Sequence, residues 1–300
     1  MKIDKQNGDV AFENDSHTYW NVNDNERYVS VTTLIHKYTQ EFDKEFWSAY
    51  KALEKLIPKD SWAIEKKSLL NSQKFDREIL ETYNISELDF NKTQQGILDA
   101  WDEENRKSCE RGTKIHEEIE RSFYDHPKDI SLQKFGLGGK FECRKDYSEL
   151  DLEYGVYPEY LIYRESDDGI LRIAGQVDLI VKQGNEITII DHKTNKKIDQ
   201  KSGFNSATKS SSKMKFPLNN LMDCNFYHYT LQLSTYAWML QKINPNFVIK
   251  NLILNHYDHQ GKNTLYHCEY LKDDVERMLK HYMKELVLER QRNKRKRIEY

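Results

Sequence analysis

The sequence lacks a long apolar run. None of its apolar stretches approaches the ~18 residues that a membrane-spanning helix needs. The first residues, MKIDKQNGDVAFENDSHTYW, are polar and acidic, and they contain neither the apolar centre of a signal peptide nor the Arg-rich, acid-poor pattern of a transit peptide. We therefore expect no contact with a membrane and a location in the cytoplasm.

Closely spaced cysteines are also missing. The four cysteines, at positions 109, 143, 224 and 268, contain no CxxC pair, so a zinc knuckle or an iron–sulfur cluster has little support. Scattered cysteines of this kind are typical of reduced, structural thiols. No internal repeat is present.

The net charge is small, at −3 over 300 residues, but the cations are clustered. Seven lysines and one acid lie between Lys193 and Lys215, and six cations without an acid lie between Arg290 and Arg297. Such clusters can neutralise phosphates. A solvated loop and a solvated tail are the alternatives.

The order of patterns along the chain predicts an α/β fold. Residues 42–98 are mostly helical with a break at Pro58, and a longer helix is expected over about residues 97–123. Three strand candidates follow, separated by the turns SDDG and KQGN, then an amphipathic helix, two further strands and a last helix. This order indicates a central mixed sheet with antiparallel hairpins and flanking helices.

An acid and a lysine end the third strand candidate, EITIIDHKT. Because side chains alternate between faces, Asp191 and Lys193 share one face and His192 takes the other. Asp178 lies on the preceding strand, a few residues out of line for a simple hairpin, so convergence with Asp191 calls for a bulge near Gly175 or a splayed strand. Two nearby carboxylates favour a hard divalent cation. A structural Asp–Lys pair is the alternative.

Two helices offer further polar pairs. His116 and Glu120 lie four residues apart on one helical face, as do Gln232 and Tyr236. Each pair alone is more typical of packing or of a surface than of a site.

Taken together, the motifs GTKIH, GQVD, IIDHK and QLSTY resemble, in type and order, those of RecB-like nucleases in the PD-(D/E)XK superfamily. The resemblance runs from about Arg111 to Asp258. It is strongest to phage-encoded exonucleases and the related mitochondrial genome maintenance exonuclease, and YVSVTTLIHKY is similar to their N-terminal segment.

The resemblance implies a restriction-endonuclease-like core and a site for one or two Mg²⁺ or Mn²⁺ ions. It implies metal ligation by His116, Asp178, Asp191 and the main-chain carbonyl of His192. Lys193 would be the catalytic lysine, with Gln232 and Tyr236 as supports. Glu159 is either a further acidic ligand or a structural acid at a strand.

Two departures from the family pattern stand out. Val177 replaces the proline of the superfamily's name, and Asp191 is the less common acid at its position. RecB-like members often show both. The cysteine pattern of the iron–sulfur relatives is absent, so no iron–sulfur cluster is expected.

The expected domains are an N-terminal segment with a helical region (residues 1–98), and a nuclease core (99–300) ending in a basic helix and tail. The helical region could form an arch over the site, and its tryptophans could stack on bases or form a core. We expect Lys196, Lys197, Lys213 and Lys215, in a mobile loop, to contact the nucleic-acid backbone.

Three functions follow as hypotheses. The first is a metal-dependent DNA exonuclease acting on single-stranded or frayed ends in phage recombination, repair or DNA turnover, located in the bacterial host cytoplasm. The second is a structure- or site-specific endonuclease on the same fold. The third is a DNA-binding protein without activity. A single-strand binding or annealing protein is a possible partner.

Overall fold

A mixed β-sheet forms the centre of the protein, in a computed structural model that describes residues 3–14, 16–144, 152–205 and 210–298. Its strands in chain order are β1 (Lys5–Asn7), β2 (Val10–Glu13), β3 (Thr18–Asn21), β4 (Arg27–Ser30), β5 (Gly155–Glu165), β6 (Arg172–Gln183), β7 (Glu186–Lys193), β10 (Val248–Tyr257) and β11 (Asn263–Cys268). The short strands β8 (Phe204–Asn205) and β9 (Ser210–Ser211) pair with each other.

The sheet confirms the predicted mixed α/β fold. Strands β5, β6 and β7 form two consecutive antiparallel hairpins, whereas β10 runs parallel to β7 and β4 runs parallel to β6. Of the four N-terminal strands, the sequence indicated only β4, as an extended piece before a helix. Strands β1 to β3 are three or four residues long, too short for a clear alternation of apolar residues.

The α-helices in the described part of the chain are α1 (Val31–His36), α2 (Lys44–Leu56), α3 (Lys59–Ser72), α4 (Glu78–Thr82), α5 (Glu87–Asp125), α6 (Asn225–Ile243) and α7 (Lys272–Ile298), and a short 3-10 helix spans Gln133–Phe135. Ser30, one of three predicted caps, accepts a hydrogen bond from the Thr33 backbone N–H and begins α1. Pro58 separates α2 from α3 as expected. Helix α5 begins about ten residues before the predicted helix. None of these helices has the length and apolar character to cross a membrane.

Apolar cores cover both faces of the sheet. On one face, Ile187 and Ile189 pack in a core with residues of α1, α6 and α7. On the other, Ile190 packs with Leu132 and Phe135 of the segment that follows α5. Each such side chain stabilises the fold by ~1.5–3 kcal/mol when fully buried. The alternation Ile189, Ile190, Asp191 therefore fixes which face each end residue of β7 takes.

Within the described ranges the chain divides into two compact units. The first is Met1–Gln40, Gly112–Phe204 and Ser211–Tyr300, and the second is Glu41–Arg111 with Asn205–Ser210. This division differs from the expected boundary at residue 98, since the first forty residues group with the sheet. The second unit is helical around its own core, in which Trp62 is buried and Trp47 and Trp101 are partly buried, as in the core alternative for these tryptophans.

Strand β6 shares one of its edges between two partners. Strand β5 pairs with it on one side from Gly155 to Glu165, with a break in the pairing at Glu159. On the other side, β7 pairs with Leu179–Gln183 and β4 pairs with Ile173 and Ala174. Residues 175–178 of β6 lie between these two stretches, and on this side they pair with neither β7 nor β4. We call this stretch the β6 window, and it positions the candidate site.

Candidate metal centre

Three acids lie level with one another across β5, β6 and β7. The pairs Pro158↔Leu179 and Tyr160↔Val177 place Glu159 opposite Asp178. The last β6–β7 pair, Leu179↔Ile190, makes Asp178 and Asp191 the next positions in register. The expectation that Asp178 is out of line with Asp191 is therefore wrong, and no bulge near Gly175 is needed. The two strands separate after Leu179.

A histidine and two of these acids form a compact cluster. His116 Nδ1 lies 3.7 Å from Glu159 Oε1 and 3.6 Å from Asp178 Oδ2. One ligand atom from each of the three residues lies within 4.8 Å of the others. Helix α5 brings His116 here, while Glu120, its partner on the helical face, pairs with Lys5 at 3.1 Å and stays outside the cluster.

The backbone of His192 completes the cluster. His116 Nε2 lies 3.0 Å from the His192 carbonyl oxygen, and the His192 N–H donates to Asp178 Oδ2 at 2.6 Å. Burial lowers the pKa of the His192 ring to about 3, so this ring is neutral. The carbonyl predicted as a ligand therefore lies beside His116 and Asp178.

Charge within the cluster shifts its pKa values. Burial alone would lower the pKa of His116, but the Asp178 and Glu159 carboxylates outweigh it and raise that pKa to about 9. Burial raises the pKa of Asp178. In the absence of metal a proton on His116 thus offsets the acids, and a metal at Nδ1 must displace that proton.

Asp191 and Lys193 form a buried ion pair beside the cluster. Lys193 Nζ lies 2.6 Å from Asp191 Oδ2, and the two side chains are 17% and 2% exposed. Burial raises the pKa of Asp191 to about 6 although the Lys193 amine opposes the shift. Burial would lower the pKa of Lys193, but Asp191 and Asp178 outweigh it and raise that pKa. The pair is therefore ionised at neutral pH.

Similarity to known protein families identifies the family of this chain. The profile of the PD-(D/E)XK nuclease superfamily matches residues 22–299. The chain belongs to this superfamily. No curated protein matches the chain.

Two solved structures show low similarity to this superfamily member. SSO0001 is 19% identical over 44% of this chain, with a TM-score of 0.26, and the chain spans 50% of its length. A proposed exonuclease from Eubacterium rectale is 12% identical over 83% of this chain and 85% of its own, with a TM-score of 0.32.

PD-(D/E)XK nucleases use divalent metal ions, and the residues present fit one. The cluster of His116, Glu159 and Asp178 offers a nitrogen and carboxylate oxygens, the ligand type that Mg²⁺ and Mn²⁺ accept. Asp191 Oδ1 is buried and has no hydrogen-bond partner within the described residues, while Oδ2 faces Lys193 Nζ at 2.6 Å. A buried carboxylate oxygen without a donor suits a ligand of a cation.

Glu159 reaches the cluster through an unusual backbone. Its φ of +49° lies in the left-handed region, which residues other than Gly, Asn and Asp rarely adopt. Tyr157 and Tyr160, on either side, pack in the same core, so the alternation of β5 shifts at Glu159. Gln176, in the β6 window, donates a hydrogen bond to the carboxylate. Such local strain is typical of functional positions.

The predicted supports line a cavity at the β6 window. Its volume is about 210 Å³, and Gln232 and Tyr236 of α6 lie in its wall with His116 and Asp178. Gln232 Nε2 donates to the Tyr236 hydroxyl at 3.2 Å. Gly175 permits this packing, since a Cβ there would lie 2.6 Å from the Tyr236 ring.

Several residues of the site were not predicted from the sequence. His17, Tyr19 and Thr32 line the same cavity, and burial with the Glu159 and Asp178 charges raises the pKa of Tyr19. The ring of Tyr229 lies 4.7 Å below the Lys193 amine. Thr32 lies in YVSVTTLIHKY, the segment already noted for its resemblance to phage-encoded exonucleases. Tyr19 lies on a strand that is too short to show a sequence pattern.

The lysine-rich segment, residues 194–215, begins directly after Lys193. Its first part is held in place, since the Asn195 carbonyl accepts a hydrogen bond from His256 Nε2 and the Asn225 side chain forms hydrogen bonds with the backbone of Lys197 and Asp199.

Lys196 is exposed, Lys197 pairs with Asp199, and Lys213 Nζ donates to the Asn220 carbonyl. The Lys215 backbone N–H donates a hydrogen bond to the Tyr38 carbonyl oxygen. Lys209 lies outside the described residues, as do the side chains of Lys296 and Arg297.

Proposed function

We propose that this nuclease-superfamily member is a metal-dependent DNA exonuclease that hydrolyses phosphodiester bonds from single-stranded or frayed ends. One observation carries the proposal: the cluster of His116, Glu159 and Asp178 lies next to the buried pair of Asp191 and Lys193 at the end of β7. A purely structural ion pair would not need a histidine and two further carboxylates beside it.

The residues divide into two roles in this proposal. His116, Glu159, Asp178, Asp191 and the His192 carbonyl would hold one or two Mg²⁺ or Mn²⁺ ions, which activate water and polarise the phosphodiester. Lys193, held by Asp191, donates hydrogen bonds to the attacking water or to a phosphate oxygen and stabilises the charge that develops there.

Gln232 and Tyr236 position the site. Their mutual hydrogen bond holds the Tyr236 ring against Gly175 in the β6 window. The segment with Lys196, Lys197, Lys213 and Lys215 would contact the backbone of the strand as it approaches, offsetting the repulsion between DNA and the acids.

The exonuclease mode rests on the motif set GTKIH, GQVD, IIDHK and QLSTY, which resembles that of RecB-like exonucleases. The biological setting that this resemblance favours is phage DNA recombination, repair or turnover, beside a single-strand binding or annealing protein. An arch formed by residues 42–110 stays a prediction.

The test uses purified protein and end-labelled single-stranded DNA with Mg²⁺, Mn²⁺ or EDTA, with Asp191→Ala alongside. We expect metal-dependent shortening that disappears in EDTA and in the variant. The ladder from each labelled end gives the polarity. Cleavage of closed circular single strands would instead favour the endonuclease, and binding without cleavage of any substrate would leave a DNA-binding protein.

A further inference from the structure

A second cavity lies on the opposite face of β7 from Asp191 and Lys193. It has a volume of about 320 Å³ and is lined by Phe123 of α5, by the segment after α5, and by His192. Side-chain alternation along β7 places the His192 ring on this face. The volume lies at the small end of ligand pockets, which range over about 300–1,000 Å³.

The ring of His192 has an unused hydrogen-bond donor. Asn255 Nδ2 lies 2.9 Å from His192 Nδ1, and Asn255 Oδ1 accepts from Asn263, so the amide NH₂ faces the ring. In the neutral ring Nδ1 is then the acceptor, and Nε2 carries the hydrogen. Nε2 is buried and has no partner within the described residues. A buried donor without an acceptor destabilises the protein, so an acceptor supplied by a ligand would be favourable there.

The cavity also carries positive charge. Lys128 and Lys134 are exposed on its wall, and no ion pair involves either of them in the described part of the chain. Lys134 Nζ lies 3.5 Å from the Tyr257 hydroxyl. Asp129 is an acid in the wall, but two lysines outweigh it. Two amines and a ring N–H without an acceptor select an anion with several oxygens.

Part of the remaining wall is apolar, and Ser122, His126 and Ser131 are its polar members. Ile119 and Phe123 of α5 and Leu132 of the following segment face the cavity. A site with cations at one part and an apolar, aromatic surface at another matches the two parts of a nucleotide, its phosphate and its base. Inorganic phosphate alone would leave that apolar surface exposed to water.

We propose that this cavity binds one nucleotide of the strand being cut, with its phosphate at Lys128, Lys134 and His192 Nε2 and its base at the apolar wall. The proposal rests on the proposed nuclease function. His192 connects the two places, because its backbone contacts His116 and Asp178 while its ring faces the cavity. A nucleotide held there would fix the neighbouring phosphodiester at the metal centre.

The first test measures binding without catalysis. Metal-free protein with ¹⁵N-labelled histidine is titrated with dTMP, and imidazole signals are followed by NMR. We expect the His192 Nε2 signal to shift, and Lys128→Ala/Lys134→Ala to weaken dTMP binding by about tenfold or more. Lys182→Ala/Lys250→Ala, which removes two lysines outside both cavities, should bind dTMP like the wild type. Equal affinity for dTMP and inorganic phosphate, or no shift at His192, would overturn the nucleotide site.

The second test separates this proposal from the nuclease proposal. On single-stranded DNA with Mn²⁺, the Lys128→Ala/Lys134→Ala protein should show a KM raised about tenfold with kcat changed much less. Normal KM in an active variant contradicts the nucleotide site and leaves the nuclease standing. A wild-type protein that binds dTMP at His192 but cuts nothing contradicts the nuclease and leaves the nucleotide site standing.

Discussion

At the scale of single residues, Lys193 forms a buried ion pair with Asp191 at 2.6 Å at the end of β7. Lys193→Met keeps the length of the side chain and removes its charge and donors. We expect the single-turnover rate of DNA cleavage at saturating Mn²⁺ to fall by about 10²–10³, the loss typical of a removed transition-state donor. Lys250→Met, at the far end of the sheet, is the control. A variant that keeps a tenth of the rate or more contradicts the role of Lys193.

Glu159 gives a second prediction at this scale. Glu159→Gln keeps the size of the side chain but removes a charge from the cluster with His116 and Asp178. We expect the affinity for Mn²⁺, measured by calorimetry, to fall about 10- to 100-fold, together with the rise in Tm that Mn²⁺ causes. Glu120→Gln, on the same side of α5 but paired with Lys5, should bind Mn²⁺ normally. Unchanged Mn²⁺ affinity in Glu159→Gln would leave Glu159 as a structural acid.

Part of the site could be read from residue types and spacing. Alternation along β7 predicts that Asp191 and Lys193 share a face, and the structure pairs them. Counting back from the turn also places Asp178 level with Asp191, although we expected it out of line, with a bulge or a splayed strand to bring the two together. Glu159 could not be assigned, because its side chain reaches the cluster through a left-handed backbone that no local pattern indicates. Tyr19 is brought in by packing between distant segments.

At the scale of elements, the β6 window depends on the close approach of α6. Gly175→Ala places a methyl group 2.6 Å from the Tyr236 ring, so a backbone or ring must shift. We expect a loss of ~1–3 kcal/mol in the free energy of unfolding, measured with urea, and lower nuclease activity. Combining it with Tyr236→Leu should recover part of the stability loss.

The control for this prediction is Gly96→Ala in α5, where nothing lies within 4 Å of the added methyl group. Helix propensity predicts a gain of ~0.5–1 kcal/mol there. Additive effects of Gly175→Ala and Tyr236→Leu would contradict the packing explanation.

The elements differ in how far the sequence predicts them. Strands β5 to β7, at 8–12 residues, and helices α6 and α7 have long apolar patterns that locate them. The early start of α5 is hidden by its polar sequence, since helix pattern alone does not separate it from the residues before it. Strand β3 pairs with β4, β2 with β3 and β1 with β2, so these short strands depend on their neighbours in the sheet rather than on a local pattern.

At the scale of the whole molecule, the charge distribution predicts how binding depends on salt. Replacing Lys196, Lys197, Lys213 and Lys215 by alanine should reduce the slope of log K against log salt for single-stranded DNA by up to about 3, at ~0.7 per lost phosphate contact. Fluorescence anisotropy at several salt concentrations, with Ca²⁺ in place of Mg²⁺, measures the slope. Lys182→Ala/Lys250→Ala should leave it unchanged. An unaltered slope in the fourfold variant contradicts contact between this segment and DNA.

The shared edge of β6 has a consequence for when activity can appear during synthesis. The β6 window takes its final form only after Val29 of β4 has paired with Ile173 of β6. This contact spans more than a hundred residues of sequence, and its loop closure costs roughly 4 kcal/mol or more in entropy. The window also needs Tyr236, which leaves the ribosome later than every acid of the cluster. Catalytic competence should therefore arise among the last events of folding, so that a growing or partly unfolded chain carries all its acids and yet does not cut nucleic acid.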